Sequence, residues 1–226
     1  MNIAISQSIP PGISMAAVVR KVLEEKIIFG DLAPNTRLFE EELVQQFSIS
    51  RSPIREALKD MAHEGLVVIE PRRGARVSAL NRNNLDEVYA TRVVLETLAA
   101  TQAAERCNSK DTIRLLNDLD YLEDAFEAKR PREFFNANVG LTNSIHEISR
   151  NLTLAHLLKS IAKQSFRYRY LAYLKVPDLM KISIESNRAL VEAISASDSS
   201  LARSMMESVL RQSWRRVIEI LDSEGE

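Results

Sequence analysis

The sequence predicts a mainly α-helical protein in two domains: three helices followed by a small β-hairpin, and then an antiparallel bundle of about six helices. Its 226 residues are 45% hydrophobic and 27% charged, which is ordinary for a chain with a packed core and suits one or two domains. Six glycines and seven prolines are about half the usual share, whereas turn-rich all-β folds need more of both. Apolar residues recur at helical spacing along most of the chain.

The first domain is predicted over residues 13–80, after a flexible tail at residues 1–12 that ends in Pro10, Pro11 and Gly12. Apolar residues at helical spacing predict a first helix that Gly30 ends, and a short second helix follows the loop at residues 31–37. A third helix is expected to start near Ser52, which is a good N-cap residue. The three helices are expected at residues 14–29, 40–47 and 52–63.

A hairpin completes the first domain. Residues 66–69 and 75–77 are rich in apolar, strand-favouring side chains, and they flank the four-residue turn Pro71–Gly74. Three helices and a hairpin, in this order, form a winged helix-turn-helix. The sequence therefore predicts a domain of that type with the hairpin as its wing.

The second domain is predicted over residues 85–222, after a polar linker at residues 81–84. Its six helical segments are divided by short breaks, which favours antiparallel neighbours. The segments are expected at residues 85–107, 111–129, 131–149, 152–174, 178–196 and 199–221. Two apolar stripes are expected in the core, Leu115, Leu119 and Leu122 in one, and Leu201, Met205 and Leu210 in the other.

Composition excludes several classes of protein. A net charge of −1 excludes a uniformly basic nucleic-acid coat but allows a local basic patch. A single cysteine, Cys107, excludes a disulfide framework and a zinc site built from cysteines. No signal-peptide pattern and no apolar run of 18 residues occur, so a soluble cytoplasmic protein is expected. The chain also has no nucleophile elbow, no glycine-rich phosphate loop and no metal triad, so we do not expect an enzyme.

The third helix carries a pattern typical of DNA reading. Arg51, Arg55 and Lys59 are spaced four apart, so they share one helix face, apart from the apolar stripe. An α-helix fits the major groove of DNA, where arginine grips guanine O6 and N7. Ser50 and Ser52, with the amides at the helix start, suit phosphate oxygens. The turn of the hairpin adds Arg72, Arg73 and Arg76, and Gly74 allows close approach to a backbone.

A simpler interpretation of these cations is a solvated helix face in which they pair with Glu56 and Asp60. Charge alone does not decide between the two interpretations. Residues 1–80 hold ten basic and ten acidic side chains, and residues 51–80 hold six basic and four acidic ones. The order of helices and hairpin favours DNA binding.

Several motifs of the first domain resemble the GntR transcription regulators. They are Gly30–Pro34, Leu38 with Glu40 and Leu43, Ser50–Leu58, Glu64–Val67 and Pro71–Ala75. Asn35 and Ser48 stand where that family usually has glycine; asparagine tolerates left-handed geometry, and the serine is expected to distort its turn slightly. The resemblance implies that Arg51 and Arg55 contact the operator and that the wing tip enters the adjacent minor groove. Glu41 occupies a position that is basic in some relatives, and we expect no DNA contact from it.

The second domain resembles the all-helical FCD effector domain of the FadR branch. The matching segments are Glu87–Glu96, then Ile145 with Ser149 and Asn151, then Ala189–Asp198 with Ala202 and Met206. Six helices rather than seven indicate the VanR-type subgroup. The resemblance implies a homodimer, and two recognition helices about 34 Å apart read a palindrome. We therefore expect a ligand-responsive regulator, a repressor released from double-stranded DNA by a small organic acid.

Many relatives bind a divalent metal in this domain through one aspartate and three histidines. The resemblance places these four positions at Asn138, Thr142, Asn187 and Val209. Asparagine and threonine are poor neutral donors and valine has none, so we expect no metal and no other cofactor. His63, His146 and His156 are isolated, and surface or core positions are expected for them.

The effector pocket is predicted to be lined by Arg92, Asn138, Thr142 and Asn187. Arg92 either binds a carboxylate effector as a two-pronged fork or pairs with Glu96, one turn on. One Arg/Tyr pair of the run Arg167–Tyr170 is expected to face inward, and the sequence does not decide which. The alternative function is a constitutive DNA-binding regulator whose helical domain serves only dimerisation.

Overall fold

The computed structural model describes residues 12–70, 74–176 and 178–224, which form two compact units divided between Leu80 and Asn81. The first unit has the predicted order of elements, with one additional strand. Its helices are α1 (Met15–Ile28), α2 (Glu40–Phe47) and α3 (Arg51–His63). Its strands are β1 (Arg37–Leu38), β2 (Val67–Glu70) and β3 (Gly74–Val77).

The ends of the helices follow from local residue chemistry. The Ser14 hydroxyl caps α1 by accepting a hydrogen bond from the Ala17 amide at 3.1 Å, and Gly30 follows the helix with a φ of 82°. The prediction that Ser52 caps α3 is wrong. Ser50 is the N-cap residue, with extended backbone, and Ser52 lies inside the first turn. Both serines are good cap residues, so residue type alone did not separate them.

The wing is a three-stranded antiparallel sheet in the order β1-β3-β2. Leu38 pairs with Ala75, and Val67 pairs with Val77. The strand β1 was missed because two residues are too short to show the alternation that identifies a strand. Pro71, Arg72 and Arg73, three residues of the predicted turn, lie outside the described residues.

Asn35 and Ser48 take up the conformation that glycine normally provides. Their φ angles are 66° and 54°, so both lie in the left-handed region. Ser48 ends α2, and its amide donates to the Val44 carbonyl. The expected distortion of this turn is therefore not seen, because the serine accepts the left-handed backbone itself.

One apolar core joins the three helices of the first unit to the sheet. Phe47, Ile54 and Met61 are fully buried there, and Leu66 and Val77 bring the wing into the same core. The buried face of α3 lies against this core, so its other face is free to point outward.

The second unit contains six helices with bounds close to the predicted ones. They are α4 (Arg82–Arg106), α5 (Ser109–Glu127), α6 (Pro131–Ile148), α7 (Leu152–Lys175), α8 (Leu179–Ser195) and α9 (Ser199–Glu224). The prediction of a linker at residues 81–84 is wrong. The Asn81 side chain accepts from the Asn84 amide at 2.8 Å, so these polar residues cap and begin α4.

In the bundle, α4 packs against α9, α7 and α6, and α5 packs against α6 and α8. Leu115, Leu119 and Leu122 are buried as predicted, and so is Leu210. Leu201 is 44% exposed, which contradicts its prediction as core, because it lies on the outer face of the first turn of α9. Among the described residues, none of the helices is both long and apolar enough to cross a membrane.

Candidate functional site

The face of α3 that was predicted to read DNA points to solvent. Ser50, Arg51, Ser52, Arg55 and Lys59 are all exposed. The buried stripe on the opposite face fixes the rotation of the helix, so these five side chains form one continuous surface. We call them the recognition face.

The two arginines of this face have acidic partners, but not the predicted ones. Arg55 Nε donates to Glu40 Oε2 at 2.8 Å, and Arg51 Nη2 lies 3.2 Å from Glu41 Oε1. The partners come from the first turn of α2, where a helix N-terminus favours acidic side chains. The expected pairing with Glu56 and Asp60 within α3 is not found among the described ion pairs.

The described part of the wing contributes less to this surface than expected. Gly74 has a φ of +86°, and an added Cβ would lie 3.1 Å from the Leu38 carbonyl oxygen. Packing against β1 therefore explains this glycine without a DNA contact. Arg76 Nε donates to Glu70 at 2.7 Å and its Nη1 donates to Asn35 at 2.7 Å, so Arg76 stabilises the sheet.

The second candidate site is a cavity in the helical bundle that is partly open to solvent. Arg92 from α4, Asn138 and Thr142 from α6, and Asn187 from α8 all line it. Val209 from α9 lines it as well. The structure thus brings together the four residues predicted for the effector pocket.

Arg92 pairs with Glu96 at the wall of this cavity. Arg92 Nε donates to Glu96 Oε1 at 2.7 Å, and the two side chains are only 3% and 2% exposed. Among the described residues, Arg92 Nη1 has no hydrogen-bond partner. Arg92 therefore forms the ion pair with Glu96 that the sequence predicted as one of its two roles. Its Nη1 group is left as a hydrogen-bond donor for another partner.

The pair holds both groups in their charged forms. Burial alone would raise the pKa of Glu96, but Arg92, His146 and Arg169 outweigh it and lower the pKa to about 2. Burial alone would lower the pKa of Arg92, but Glu96 and Tyr89 raise it above its ordinary value. The wall of the cavity therefore carries a fixed positive and a fixed negative charge.

Arg169 adds a second positive charge and is the member of the run Arg167–Tyr170 that lines the cavity. The expectation that a single Arg/Tyr pair of this run faces inward is wrong, because all four residues are buried among the helices that pack around α7. Arg169 is 8% exposed, lines the cavity, and donates from Nη2 to Asn138 Oδ1. Its guanidinium lies 5.8 Å from the centroid of the Phe135 ring, a cation–π contact. The charged residues among the described lining are Arg92, Glu96 and Arg169, so the cavity has an excess of one positive charge.

Ser183 is a functional candidate that the sequence reasoning missed. Its hydroxyl lies 3.1 Å from Asn138 Nδ2, 3.2 Å from Asn187 Nδ2 and 3.2 Å from the Tyr173 hydroxyl. Ser183 precedes Asn187 by four residues, and Tyr173 follows Arg169 by four. The i, i+4 spacing from residues already suspected was the signal that could have found both.

The side chains at the family metal positions do not fit a metal ion. The Asn138 amide oxygen already accepts from the Arg169 cation, and the Thr142 hydroxyl donates to the Asn138 carbonyl at 2.9 Å. No group of three or more potential metal ligands occurs among the described residues. His156 is exposed, and His146 is buried with its Nε2 3.9 Å from Glu96 Oε2.

Tyr168 ties the helix that carries Arg169 to the first residue of this unit. Its hydroxyl accepts from the Asn81 amide and donates to the Asn81 carbonyl, both at 3.2 Å. Tyr168 is fully buried. Direct hydrogen bonds therefore link α7, beside Arg169, to the residue at which the second unit begins.

Replacing Glu96 by Gln should lower the free energy of unfolding by about 3–5 kcal/mol, because the buried guanidinium of Arg92 loses its charge partner. Chemical denaturation measures this. The matched control is Glu207→Gln, since Glu207 pairs with Arg211 at the same spacing and the same 2.7 Å, but with side chains 40% and 50% exposed. That control should cost at most about 1 kcal/mol. Equal losses in the two variants would contradict the role of burial.

The pH dependence of stability provides a separate test of the same carboxyl. Its pKa is about 2 in the folded protein against an ordinary value of 4.5, so ionised Glu96 stabilises the fold above the ordinary pKa. That contribution is lost as the pH falls through the folded value. The stability difference between the wild type and Glu96→Gln should hold above about pH 5 and shrink toward pH 2. A difference that stays constant over this range in urea denaturation would be inconsistent with the lowered pKa.

Comparison with known families assigns both units. The family model "Bacterial regulatory proteins, gntR family" matches residues 15–77, and the FCD domain model matches residues 87–212. The first match contains the recognition face, and the second contains all the cavity residues named above.

Three relatives illustrate the range of similarity. The chain is 29% identical over 140 residues to the regulator YdhC of Bacillus subtilis, a match spanning 62% of each protein. It is 29% identical over 204 residues to the gluconate operon transcriptional repressor of Bacillus subtilis, covering 85% of this chain and 79% of the repressor. It is 24% identical over 201 residues to the regulator McbR of Escherichia coli, covering 88% of this chain and 91% of McbR.

The solved structure of Escherichia coli McbR has the same fold, with a TM-score of 0.81 over 95% of this chain and 100% of that one. At 24% sequence identity, this likeness concerns the fold alone. The relatives are named as transcriptional regulators or repressors and not as enzymes. Since the FCD model matches more than half of the chain and the gntR model matches the segment before it, the protein belongs to the GntR family of bacterial regulatory proteins and carries an FCD domain.

Proposed function

We propose that this GntR-family regulator is a repressor that binds a palindromic operator as a homodimer and is released by a small organic acid. The observation that carries the DNA-binding part is the recognition face, where Arg51, Arg55 and Lys59 project from one exposed side of a helix whose other side is buried. That geometry suits insertion into the major groove of double-stranded DNA.

The arginine and serine side chains of the recognition face are proposed to contact different parts of the DNA. Arg55 retains both Nη groups, because its Nε alone contacts Glu40, and two Nη donors match guanine O6 and N7. Arg51 and Lys59 flank it on the same face. Ser50 and Ser52 lie at the start of α3, where hydroxyls and free amides hold phosphate oxygens and set the register.

The wing residues Arg72, Arg73 and Gly74 complete the proposed DNA-binding set. Both arginines stand in the sequence between the end of β2 at Glu70 and the start of β3 at Gly74. Arginine side chains at the tip of a wing suit the minor groove, where the negative potential is strong. Gly74 contributes by allowing the close packing of β3 on β1 rather than by contacting DNA itself.

Dimerisation is proposed through an exposed apolar stripe on α4 and α7. Val94 and Leu98 of α4 are 66% and 43% exposed, and Leu157 of α7 is 49% exposed. The two helices pack side by side, so the three side chains lie on neighbouring elements. Clustered exposed apolar residues often mark an interface. A two-fold dimer places two recognition helices about 34 Å apart, one turn of DNA.

The effector is proposed to be a small acid with a single carboxylate. Glu96 neutralises one of the two guanidinium groups at the cavity, which leaves one positive charge for a ligand. Arg169 and the unpartnered Nη1 of Arg92 are the donors for the carboxylate, and Asn138, Thr142 and Asn187 are the polar partners for the remainder of the molecule. No metal is required for this arrangement.

The six-helix bundle is the basis for placing the chain in the VanR-type subgroup.

Release from DNA requires that the acid binds one arrangement of the dimer more tightly than another. The contact of Tyr168 with Asn81 is the proposed route, because Tyr168 adjoins Arg169 in α7 and Asn81 begins the second unit. A shift of α7 on binding would change the position of the segment that leads to the DNA-binding domain. The half-site spacing would then no longer match the operator.

One observation favours the alternative of a constitutive DNA-binding regulator. Several polar groups of the cavity satisfy one another: Asn138 bonds to Ser183 and Arg169, and Arg92 bonds to Glu96. A self-satisfied cavity needs no ligand, and the bundle would then serve only dimerisation. Ligand-induced stabilisation separates the two functions.

Replacing Arg55 by Ala should weaken operator binding by about 1–3 kcal/mol and relax base preference at one position, because the contact to a guanine edge is lost. Titration of labelled operator with the full-length dimer measures this. The control is Arg203→Ala, which removes the same charge from an exposed position on α9. If Arg55→Ala bound the operator as tightly as the control, the assignment of the recognition face would be wrong.

A panel of organic and sugar acids should contain one that stabilises the protein against heat in the presence of chelator. At a hundredfold excess over Kd, the gain is about 2.7 kcal/mol. Arg169→Gln should abolish it, whereas Arg188→Gln should not, because Arg188 is an exposed partner of Glu123 outside the cavity. Stabilisation by zinc or nickel alone would contradict the metal-free pocket, and no stabilisation by any acid would favour the constitutive alternative.

A further inference from the structure

The acidic first turn of α2 faces the arginines of the recognition face. Glu40 and Glu41 contact Arg55 and Arg51 across the helix-turn-helix, and Glu42 is the third acid of the same turn. Glu42 is exposed and makes no ion pair among the described residues. The three glutamates therefore share one helical turn and the same charge, but only Glu40 and Glu41 contact arginines of the recognition face.

Glu40 is the more enclosed of the two contacting acids. Its side chain is 23% exposed, against 65% for Glu41, and it meets Arg55 with an Nε···Oε2 distance of 2.8 Å. The hydrogen bond is directional, because the Nε–H of a guanidinium lies in the plane of the group. The hydrogen bond at Nε restricts the rotation of that plane and leaves both Nη groups available to another partner.

We propose that Glu40 is a positioning residue for DNA recognition, which holds Arg55 by its Nε so that the Nη edge is presented to a guanine. The proposal rests on the proposed operator binding by the recognition face. A free arginine loses rotamer freedom when it binds a base, whereas an arginine already held in place loses less. Glu40 therefore increases discrimination between the operator and other DNA.

The negative charge of Glu40 also increases discrimination between the operator and other DNA. Non-specific binding depends on basic groups that neutralise phosphates and release counterions. The first 80 residues hold ten basic and ten acidic side chains, so this domain has no net charge with which to hold random DNA. The negative charge of Glu40 beside Arg55 therefore reduces affinity for random DNA. The hydrogen bond from Arg55 to Glu40 preserves affinity for the correct base, because it holds the arginine in position.

The test compares three variants of the full-length protein, Glu40→Ala, Glu40→Gln and Glu42→Ala. The specific probe is the duplex that the wild type selects from a random-sequence pool, and the competitor is a scrambled duplex of equal length. The measured quantity is the ratio of the two affinities, together with the melting temperature of each variant. Each variant removes one negative charge from the same turn, so a pure charge effect is common to all three.

Glu40→Ala should lower the affinity ratio about tenfold, a size equivalent to the loss of about 1.4 kcal/mol of discrimination. Glu40→Gln should keep the ratio within about threefold, because the amide oxygen still accepts from Nε. Glu42→Ala should change the ratio by no more than Glu40→Gln does, because it removes one negative charge from the same turn but no contact with Arg55. An unchanged ratio in Glu40→Ala, or an equal fall in Glu42→Ala, would overturn the inference.

The outcomes also separate this inference from the proposed function. A wild type that selects no duplex from the pool would overturn operator binding itself. A wild type that selects one, whose discrimination is lost in Arg55→Ala but not in Glu40→Ala, would leave the proposed function standing and overturn only the role of Glu40. A fall in the ratio with an unchanged melting temperature excludes a loss of folding as the cause.

Discussion

The buried ion pair between Arg92 and Glu96 is the constraint on which the helical FCD domain depends. Neither charge can be left alone in a helical core, because removing a charge from water is unfavourable without an equally buried partner. The surrounding helices must therefore enclose both groups together. The pair lies one helical turn apart on α4, so that helix supplies the two charges itself while the other helices supply the polar and apolar wall. A cavity with fixed charges is the result.

The DNA-binding domain also contains arginine–glutamate pairs, which join α3 to α2 and are exposed to solvent. Exposed ion pairs contribute about 0–1 kcal/mol, so the contacts of Arg51 and Arg55 with α2 add little to the stability of the fold. We expect these contacts to affect DNA binding instead, because DNA can compete with the two glutamates for the same guanidinium groups. In the proposed function, the buried pair shapes a site for a small anion, and the exposed pairs influence how the protein binds DNA. The same two residue types thus serve different purposes according to burial.

Local sequence was sufficient to explain several helix ends. The start of α2 at Glu40, the capping of α1 by Ser14 and the start of α6 at Pro131 follow from residues within one turn of each helix end. The four residues predicted for the effector pocket line one cavity, and family spacing is the signal that grouped them. Prediction failed for β1, whose two residues form a strand only because β3 lies beside them. It failed at residues 81–84 because a polar run is equally typical of a linker and of a helix cap.

The sequence by itself determined the helices, the two strands of the hairpin and their order, since apolar spacing and capping residues act over a few positions. Only the tertiary structure decided which partner each charged side chain takes. Arg55 could pair within its own helix, and it meets Glu40 instead; Arg169 could not be distinguished from its neighbours until α7 packed beside Asn138. The physical reason is distance along the chain. A contact between side chains 15 or 31 residues apart depends on how helices pack, and no local pattern records that.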